Sequence, residues 1–498
     1  MKKNITVISL LTCIVLMFSI SAGAQEIKNK IYNNVNIGGG SLWAYPYTAT
    51  QSAPAFAAVP KLTPAPQGYK PFYISHYGRH GSRWLISPKD YGFAHDVFTA
   101  AEKAGVLTPL GKSVKLKVDS MFVASTGRLG ELTQLGAKQH RGIADRMVAN
   151  FPEVFAGNVK VDARSTTIIR CILSMMAECG ELRAYNKNIT ITNDASEHDM
   201  YYMNYDDKDS EVSFAKFYED ENRRGALEAF EANNIHPDRL MSSLFTDTTF
   251  ITRCTVPYDK KSYGPDGKVI PSNQSVHLFN KLCNLAQSMQ DLDFKISMSG
   301  IFTKEELYDY YLNDNAYWYC LRGYSELSGA KMPYSQTYLL KNIIKGADSV
   351  IACNGRGATL RFGHDSDVLP LSCLMGLNGG NYKTGNLDSL AYHWNIVDYI
   401  PMAANIQFIF YRKTAAGKVA GKAAGKITGK TATKTNANAN ACANMPAKVA
   451  ATEAPVYVKI LINEREAKLP LESKLWPYYD WKDLRQYFTD ILAKSPVK

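Results

Sequence analysis

Three short segments with strand character each end directly in polar residues that include arginine or histidine. They are residues 72–74 before His76-Tyr77-Gly78-Arg79-His80, the alternating Val159 and Val161 before Arg164, and residues 358–362 before Gly363-His364-Asp365. Open α/β sheets bind their ligands beyond the carboxyl ends of parallel strands. The pattern therefore predicts an α/β fold whose three polar segments meet at one edge of the sheet.

Helical periodicity separates these strands. Leu135, Ile143, Met147 and Phe151 indicate one helix that begins near Thr133, and residues 368–377 indicate another. A third helix is expected after Arg164, with Ser165 or Thr166 as its cap. Its predicted apolar face consists of Ile168, Ile169, Ile172, Leu173 and Met176. The alternation of strands and helices predicts a three-layer α/β core with a mixed, mostly parallel sheet.

The texture of the chain changes between residues 186 and 345. Acidic, aromatic and helix-forming residues dominate this part, and few alternating strand patterns occur in it. We expect an inserted, mainly helical cap domain at 186–345, which leaves residues 25–185 and 346–498 to form the α/β core. A length of 498 residues is consistent with two or three domains.

The N-terminus has the three parts of a secretory signal. Lys2 and Lys3 precede an apolar run over residues 5–20, and the small residues Ala22 and Ala24 suit cleavage after Ala24. A membrane anchor is the alternative, but the run is short for a spanning helix. We therefore predict a signal peptide at 1–24, a secreted or periplasmic protein, and no stable membrane insertion after its removal.

The formal charge of +11 is concentrated in two segments. Residues 413–455 contribute +6 and the two N-terminal lysines contribute +2, which leaves +3 for the rest of the chain. Glycine recurs every four residues from Gly417 to Gly429, a spacing that opposes helix formation. We interpret 413–455 as a flexible Lys/Gly/Ala-rich insert, with a tether for polyanions as the alternative. No nucleic-acid-binding module accompanies the charge, so nucleic acid is not an expected partner.

The predicted mature chain keeps eight cysteines, because Cys13 lies in the leader. Export permits disulfides, and burial of free cysteines as small apolar side chains is the alternative. No two of the cysteines form a CxxC pair, so a zinc site is not expected. Their pairing remains open at this stage.

The pentapeptide Arg79-His80-Gly81-Ser82-Arg83 combines the residue types that phosphate chemistry requires. Guanidinium groups bind phosphate oxygens in pairs and stay charged. A neutral imidazole can attack phosphorus. We expect Gly81 to be needed where the backbone approaches a bound anion.

Taken together, the motifs resemble those of the histidine acid phosphatases, which form the second branch of the histidine phosphatase superfamily. This branch includes histidine-type phytases and multiple inositol polyphosphate phosphatases. The resemblance covers most of residues 70–465. It is carried by Arg79-His80-Gly81-Ser82-Arg83, Arg164-Ser165-Thr166 with Arg170 and Ser174, and His364-Asp365.

The resemblance implies a role for each site residue and requires no metal or other cofactor. His80 is implied as the nucleophile and Asp365 as the general acid, which later acts as a base. The phosphoryl group is expected to be bound by Arg79, Arg83, Arg164 and His364. Two alternatives concern these assignments: Arg164 could instead cap the following helix or pair with Asp162, and His364-Asp365 could be a structural hydrogen-bonded pair.

The implied activity is hydrolysis of a small phosphorylated substrate. Phytases of this kind usually follow His-Asp with Thr-Asn, and inositol polyphosphate phosphatases often have His-Ala-Glu, whereas this chain has His364-Asp365-Ser366-Asp367. An inward-pointing Asp367 would disfavour a crowded polyanion. Inositol polyphosphates such as phytate are nevertheless the first substrate to consider. The alternatives are a broad acid phosphatase acting on sugar phosphates or phosphoglycerates, and a phosphate-ester-binding protein with little catalysis.

Overall fold

The computed structural model describes residues 43–49, 57–205, 208–254, 274–289, 296–414 and 454–497, together with a few isolated positions. The predicted signal peptide at 1–24 and nearly all of the predicted insert at 413–455 lie outside these residues. Within the described ranges, no helix combines the length and the apolar character needed to cross a membrane. Export therefore stays a prediction from the N-terminal sequence.

One eight-stranded sheet forms the centre of the described protein, with strand order β10-β8-β7-β1-β6-β2-β3 and β9 paired to β8. Its strands are β1 (Tyr69–Arg79), β2 (Val159–Ser165), β3 (Ile189–Asp194), β6 (Gly357–Gly363), β7 (Asn405–Lys413), β8 (Tyr457–Ile462), β9 (Arg465–Glu466) and β10 (Tyr478–Asp480). A separate two-stranded hairpin consists of β4 (Ser262–Tyr263) and β5 (Val269–Ile270).

The strands that carry the predicted motifs are neighbours. β1 pairs with β6, β6 with β2 and β2 with β3, all in parallel, whereas β7, β8 and β10 continue the sheet in antiparallel pairs. In this register Arg79 lies opposite Gly363, and Ser165 lies opposite Phe362. The carboxyl ends of the three strands therefore meet at one edge of the sheet, as the sequence predicts.

Helices cover both faces of the sheet. They are α1 (Pro88–Lys103), α2 (Pro109–Ser125), α3 (Gln134–Asn150), α4 (Pro152–Phe155), α5 (Ile169–Tyr185), α6 (Met200–Met203), α7 (Phe214–Glu219), α8 (Glu221–Asn234), α9 (Asp238–Leu244), α10 (Phe250–Arg253), α11 (Gln274–Ser288), α12 (Lys304–Arg322), α13 (Thr337–Ala352), α14 (Asp365–Met375) and α15 (Trp481–Leu492). Several begin at side-chain caps, and α3 begins beside Thr133 as predicted. Thr133 caps α3 by accepting from the Gly136 amide, and Thr303 with Glu306 forms a capping box at α12.

The alternation of side chains along the strands creates two apolar layers. On one face, Ile74 and Leu360 belong to a buried cluster with residues of α3 and α5. On the other face, Tyr73 and Phe408 belong to a larger cluster, which extends through α13, α14 and α15 into the helices that follow β3. Burial of this apolar surface on both sides stabilises the sheet and fixes its register.

The predicted fold class is confirmed: helices enclose a mixed sheet in three layers. The described chain between β3 and α13 is mainly helical, with α6 to α12 in it. The exact limits of a cap domain at 186–345 stay a prediction. Six of the eight cysteines counted above are free and buried, namely Cys171, Cys179, Cys254, Cys283, Cys320 and Cys373.

Candidate active site

A polar cavity of about 300 Å³ opens at the edge of the sheet where β1 and β6 end and where α5 and α14 begin. It is lined by His80, Arg83, Ile86, Ile168, Arg170, Asn204, His364, Asp365 and Ser366. Four of the six residues predicted for the site therefore line one cavity. The other two, Arg79 and Arg164, have different positions.

The segment after β1 is held in place by hydrogen bonds along its backbone. The His80 amide donates to the Gly363 carbonyl at 2.9 Å, which joins the segment to the end of β6. The Gly81 amide donates to Ser174 Oγ on α5 at 3.1 Å, and the Ser82 amide donates to Gln139 Oε1 on α3 at 2.8 Å. Because three elements hold consecutive amides, the side chains of His80 and Arg83 project from a fixed backbone.

Gly81 is required for close packing against α3. A Cβ atom at this position would lie 2.4 Å from the Gly136 carbonyl oxygen and 2.5 Å from the Gly136 Cα atom. The sequence interpretation assigned the glycine to contact with a bound anion. The structure gives a different reason, because the backbones of the loop and of α3 leave no room for a side chain.

His80 has the tautomer and charge state that a nucleophile needs. Its Nδ1 lies 2.9 Å from the Gly81 carbonyl oxygen. Since that oxygen can only accept, Nδ1 carries the proton and Nε2 keeps its lone pair. Burial, together with Arg79 and Arg83, lowers the pKa of His80 well below its usual value. The imidazole therefore stays neutral in mildly acidic solution.

Arg79 lies behind the cavity and pairs with Asp365. One of its guanidinium nitrogens lies 2.6 Å from Asp365 Oδ2, and another donates to the Ile400 carbonyl at 2.6 Å. The Asp365 side chain is only 16% exposed. Burial alone would raise the pKa of this carboxyl, but Arg79 and Arg83 outweigh burial and hold the pKa below its usual value. Asp365 is thus a carboxylate before substrate binds.

His364 is the residue before α14 and faces His80. The two imidazole rings have centroids 5.7 Å apart, and His364 Nε2 lies 3.2 Å from Thr166 Oγ1. The pKa of His364 is lowered to about 4, first by burial and then by Arg170. His364 is therefore a neutral hydrogen-bonding group beside the candidate nucleophile.

Arg83 and Arg170 give the cavity its positive charge. No carboxylate of the described residues forms an ion pair with either guanidinium, while Arg79 is already matched by Asp365. Burial lowers the pKa of Arg170, and the neighbouring Arg83 adds to that effect. Two uncompensated guanidiniums in one cavity suit a dianionic ligand such as a phosphoryl group.

Arg164 occupies another position, at the end of β2. Its guanidinium contacts the three carboxylates of Asp162, Asp194 and Asp199 at 2.6 to 3.2 Å, and it does not line the cavity. Pairing with Asp162 is the alternative that the sequence already offered. The structure thus brings Arg170 to the cavity where the prediction had placed Arg164.

The observed orientation of α5 differs from the predicted one, and it turns Arg170 towards the cavity. The predicted apolar face is wrong: Ile169, Leu173 and Met176 are exposed, and Ile168 precedes the helix without a side-chain cap. The buried face consists of Cys171, Ser174, Met175, Glu178, Cys179 and Leu182. It is partly polar because Ser174 holds the Gly81 amide and Glu178 binds His140 Nδ1 at 2.9 Å. Arg170 lies in the first turn of α5, and the only sequence signal for it is its place in the motif with Arg164-Ser165-Thr166 and Ser174.

Comparison with known proteins agrees with this geometry. A family model described as histidine phosphatase superfamily (branch 2) matches residues 78–423, which is more than half of the chain. The chain therefore belongs to this superfamily, and it is a phosphatase. A comparison with curated proteins gave no match.

Solved structures show the same fold at low sequence identity. The multiple inositol polyphosphate phosphatase of Bifidobacterium longum in complex with phosphate has a TM-score of 0.64 and 18% identity, covering 89% of this chain and 97% of that one. Its complex with inositol hexasulfate has a TM-score of 0.64, 17% identity and the same coverage. The phytase from D. castellii has a TM-score of 0.55 and 14% identity, covering 94% of this chain and 86% of that one.

Proposed function

We propose that the protein is an exported phosphomonoesterase that works through a phosphohistidine at His80. The observation that carries the proposal is the content of one small cavity. It holds an imidazole with a free Nε2, two uncompensated guanidiniums and the carboxyl group of Asp365. Export rests on the N-terminal sequence, and sequencing of the mature protein should then begin at Gln25. An unprocessed N-terminus on the exported protein would contradict this part.

In the first step, His80 Nε2 attacks phosphorus and the bond from phosphorus to the ester oxygen breaks. Asp365, in its protonated form, gives its proton to that oxygen, so the alcohol leaves neutral. Arg83 and Arg170 bind the equatorial phosphoryl oxygens, whose charge they offset in the transition state. The products of this step are an alcohol, a phosphohistidine and the Asp365 carboxylate.

In the second step, water hydrolyses the phosphohistidine. The Asp365 carboxylate takes a proton from water, the hydroxide oxygen bonds to phosphorus, and the bond from phosphorus to Nε2 breaks. Phosphate leaves, His80 is neutral again and Asp365 is protonated for the next cycle. Before substrate binds, Arg79 and Arg83 favour the carboxylate. A bound phosphoryl dianion counteracts these guanidiniums and helps Asp365 to take up a proton, and an acidic working range follows.

Inositol polyphosphates are the substrate class that we propose first. Support comes from structural relatives, one of which is described in complex with inositol hexasulfate. A specific observation favours the alternative of sugar phosphates or phosphoglycerates: among the described residues, those that line the cavity include no lysine, and Ile86 and Ile168 are 51% and 38% exposed. These apolar side chains give no charge to bind further phosphates.

A phosphate-release panel separates the two substrate classes. Phytate, a sugar phosphate and a phosphoglycerate are compared by kcat/KM across weakly acidic to neutral pH. If inositol polyphosphates are the substrates, phytate should exceed the others by at least about tenfold, a preference of ~1.4 kcal/mol in the transition state. Equal values would favour the broad acid phosphatase. Failure to release phosphate from all three would contradict the proposed activity.

Arg170 and Arg164 provide a matched pair of substitutions. Arg170→Ala removes a guanidinium from the cavity, so we expect kcat/KM to fall by about 10²- to 10³-fold, the usual loss for one group that stabilises a transition-state charge. Arg164→Ala removes a guanidinium bound to three carboxylates outside the cavity, so we expect a change of less than about threefold. Steady-state kinetics on one substrate tests both variants. The reverse order of effects would restore the original assignment of Arg164.

A further inference from the structure

Asp367 is a buried carboxyl group just below the candidate site. It lies in the first turn of α14, two residues after Asp365, and only 1% of its surface is exposed. It is absent from the residues that line the cavity. The sequence left open whether Asp367 points towards substrate, and the structure places it in the core instead.

In the described part of the chain, two buried oxygen atoms of Asp367 and Gln336 lack a hydrogen-bond donor. Gln336 Nε2 donates to Asp367 Oδ1 at 3.3 Å. The remaining oxygens of the same two side chains, Gln336 Oε1 and Asp367 Oδ2, are buried and have no partner among the described residues. Both are acceptors when the carboxyl is ionised, so they cannot bind each other. A proton on Oδ2 turns it into a donor and can satisfy both oxygens in one acid–amide pair.

The surroundings of Asp367 also favour the neutral acid. Burial raises the pKa of Asp367 to about 7 and Asp365 raises it further, while Arg322 of α12, the neighbouring Tyr77 hydroxyl and Gln336 act in the opposite direction. Tyr77 of β1 and Cys171 of α5 are the other titratable neighbours. The Tyr77 hydroxyl donates to the Met203 carbonyl at 2.7 Å, and burial together with Asp367 raises the pKa of Tyr77. Arg322 is the cation that faces this carboxyl from the helices after β3.

We propose that Asp367 is a positioning residue that must be a neutral acid for the cavity to bind a phosphoryl group well. The proposal rests on the proposed phosphate-binding function of this cavity. In the neutral form, its pair with Gln336 ties the first turn of α14, which begins with Asp365 directly after His364, to the segment that precedes α13. In the ionised form, a second carboxylate lies close to Asp365 and weakens binding of any anion.

The direction of the pH effect follows from the raised pKa. The folded protein holds the Asp367 proton up to about pH 7, whereas an unfolded aspartate releases it near pH 4. The folded state therefore binds more protons between these values, and this contribution to stability is lost as pH rises towards and through about 7. Anion affinity should fall above the same pH. Asp367→Asn keeps the shape and cannot ionise.

Sulfate binding tests the proposal without turnover. Inorganic sulfate carries no ionisable proton between about pH 5.5 and 9, so any change in its Kd reports on the protein. For the parent protein we expect Kd to rise with pH above about 7, by at most tenfold per pH unit. For Asp367→Asn we expect a Kd that stays within about threefold over the same range. A mistaken assignment of His80 as nucleophile would leave this result unchanged.

Two further variants identify the group responsible. Asp314 of α12 is partly buried and its pKa is also raised to about 7 by burial, so Asp314→Asn must leave the pH dependence in place. Asp145→Asn changes an exposed aspartate of α3 and should also behave like the parent. Loss of the pH dependence in Asp314→Asn would overturn the proposal. An Asp367→Asn protein with the parent's pH dependence, or with equally weakened binding at every pH, would overturn it too.

Urea unfolding gives a second measurement that does not depend on anion binding. Because Asp367→Asn cannot ionise, it escapes the stability loss that the parent suffers as pH rises. The free energy of unfolding of the variant minus that of the parent should therefore be larger at about pH 8 than at about pH 5.5. A variant that is destabilised equally at both pH values would indicate that Asp367 is a packing residue only, and the proposal would fail.

Discussion

Replacing His80 with alanine is expected to lower kcat by about 10⁴-fold or more. The loss is large because no other described residue in the cavity combines a free ring nitrogen with a neutral state at acidic pH and a fixed backbone. His364 differs from His80 because its Nε2 lies 3.2 Å from Thr166 Oγ1, within hydrogen-bonding distance. Removal of a covalent nucleophile in other enzymes costs several powers of ten in kcat.

His236→Ala is the matched control, because it removes an exposed imidazole that follows α8. This variant should retain the parent kcat on the same substrate. Circular dichroism and thermal unfolding of both variants show whether each is folded. A folded His80→Ala protein that releases phosphate at the parent rate would falsify the assignment of the nucleophile.

Asp365→Asn is expected to reduce hydrolysis of an alkyl phosphate monoester by about 10²- to 10⁴-fold, the usual contribution of a general acid. On p-nitrophenyl phosphate the formation of phosphohistidine should be nearly unchanged, because p-nitrophenolate leaves without protonation. The prediction therefore concerns the ratio of the first-turnover rates on the two substrates. The release of p-nitrophenol in the first turnover, measured by stopped flow, is compared with single-turnover release of the alkyl alcohol.

The ratio separates acid catalysis from a structural role. Asp365 also pairs with Arg79, so its substitution could move that guanidinium and weaken the binding of every phosphate ester. Such a structural effect would reduce both first-turnover rates by the same factor. Equal losses on the two substrates would therefore contradict the role of Asp365 as the acid.

Much of the fold could be predicted from the sequence because local pattern and global packing agree. Strands with β-favouring residues end at polar motifs, and the observed register brings Arg79, Gly363 and Ser165 to one edge. Thr133 begins α3, as its position before the helical pattern indicates. These features depend on backbone preferences and hydrophobic periodicity, which a single sequence displays directly.

The site could be predicted only in part because side-chain direction depends on packing. The exposed Ile169 and Leu173 of α5 gave the stronger helical pattern, while the buried face carries Ser174 and Glu178, whose partners come from α3 and the loop after β1. Periodicity weighs apolar residues and cannot detect a polar face that is buried by hydrogen bonding. The rotation of α5, and with it the position of Arg170, was therefore missed.

The contacts of charged residues with distant parts of the chain could not be predicted from the sequence either. Arg164 has three carboxylate partners, two of which, Asp194 and Asp199, lie in later segments that reach it only in the folded chain. Similarly, the burial of Asp367 beside Gln336 depends on contact between α14 and the segment before α13. The sequence left open whether Asp367 points towards substrate, and tertiary packing buries its carboxyl group.

The most direct test of the account is to locate the phosphoryl group during turnover. Asp365→Asn enzyme mixed with p-nitrophenyl phosphate should form the phosphohistidine without needing an acid and then hydrolyse it slowly for want of a base. Rapid quenching and peptide mass spectrometry should find one phosphoryl group on His80, in an amount equal to the burst of p-nitrophenol. A burst with no phosphoryl group on the chain, or with the group on another residue, would contradict the account.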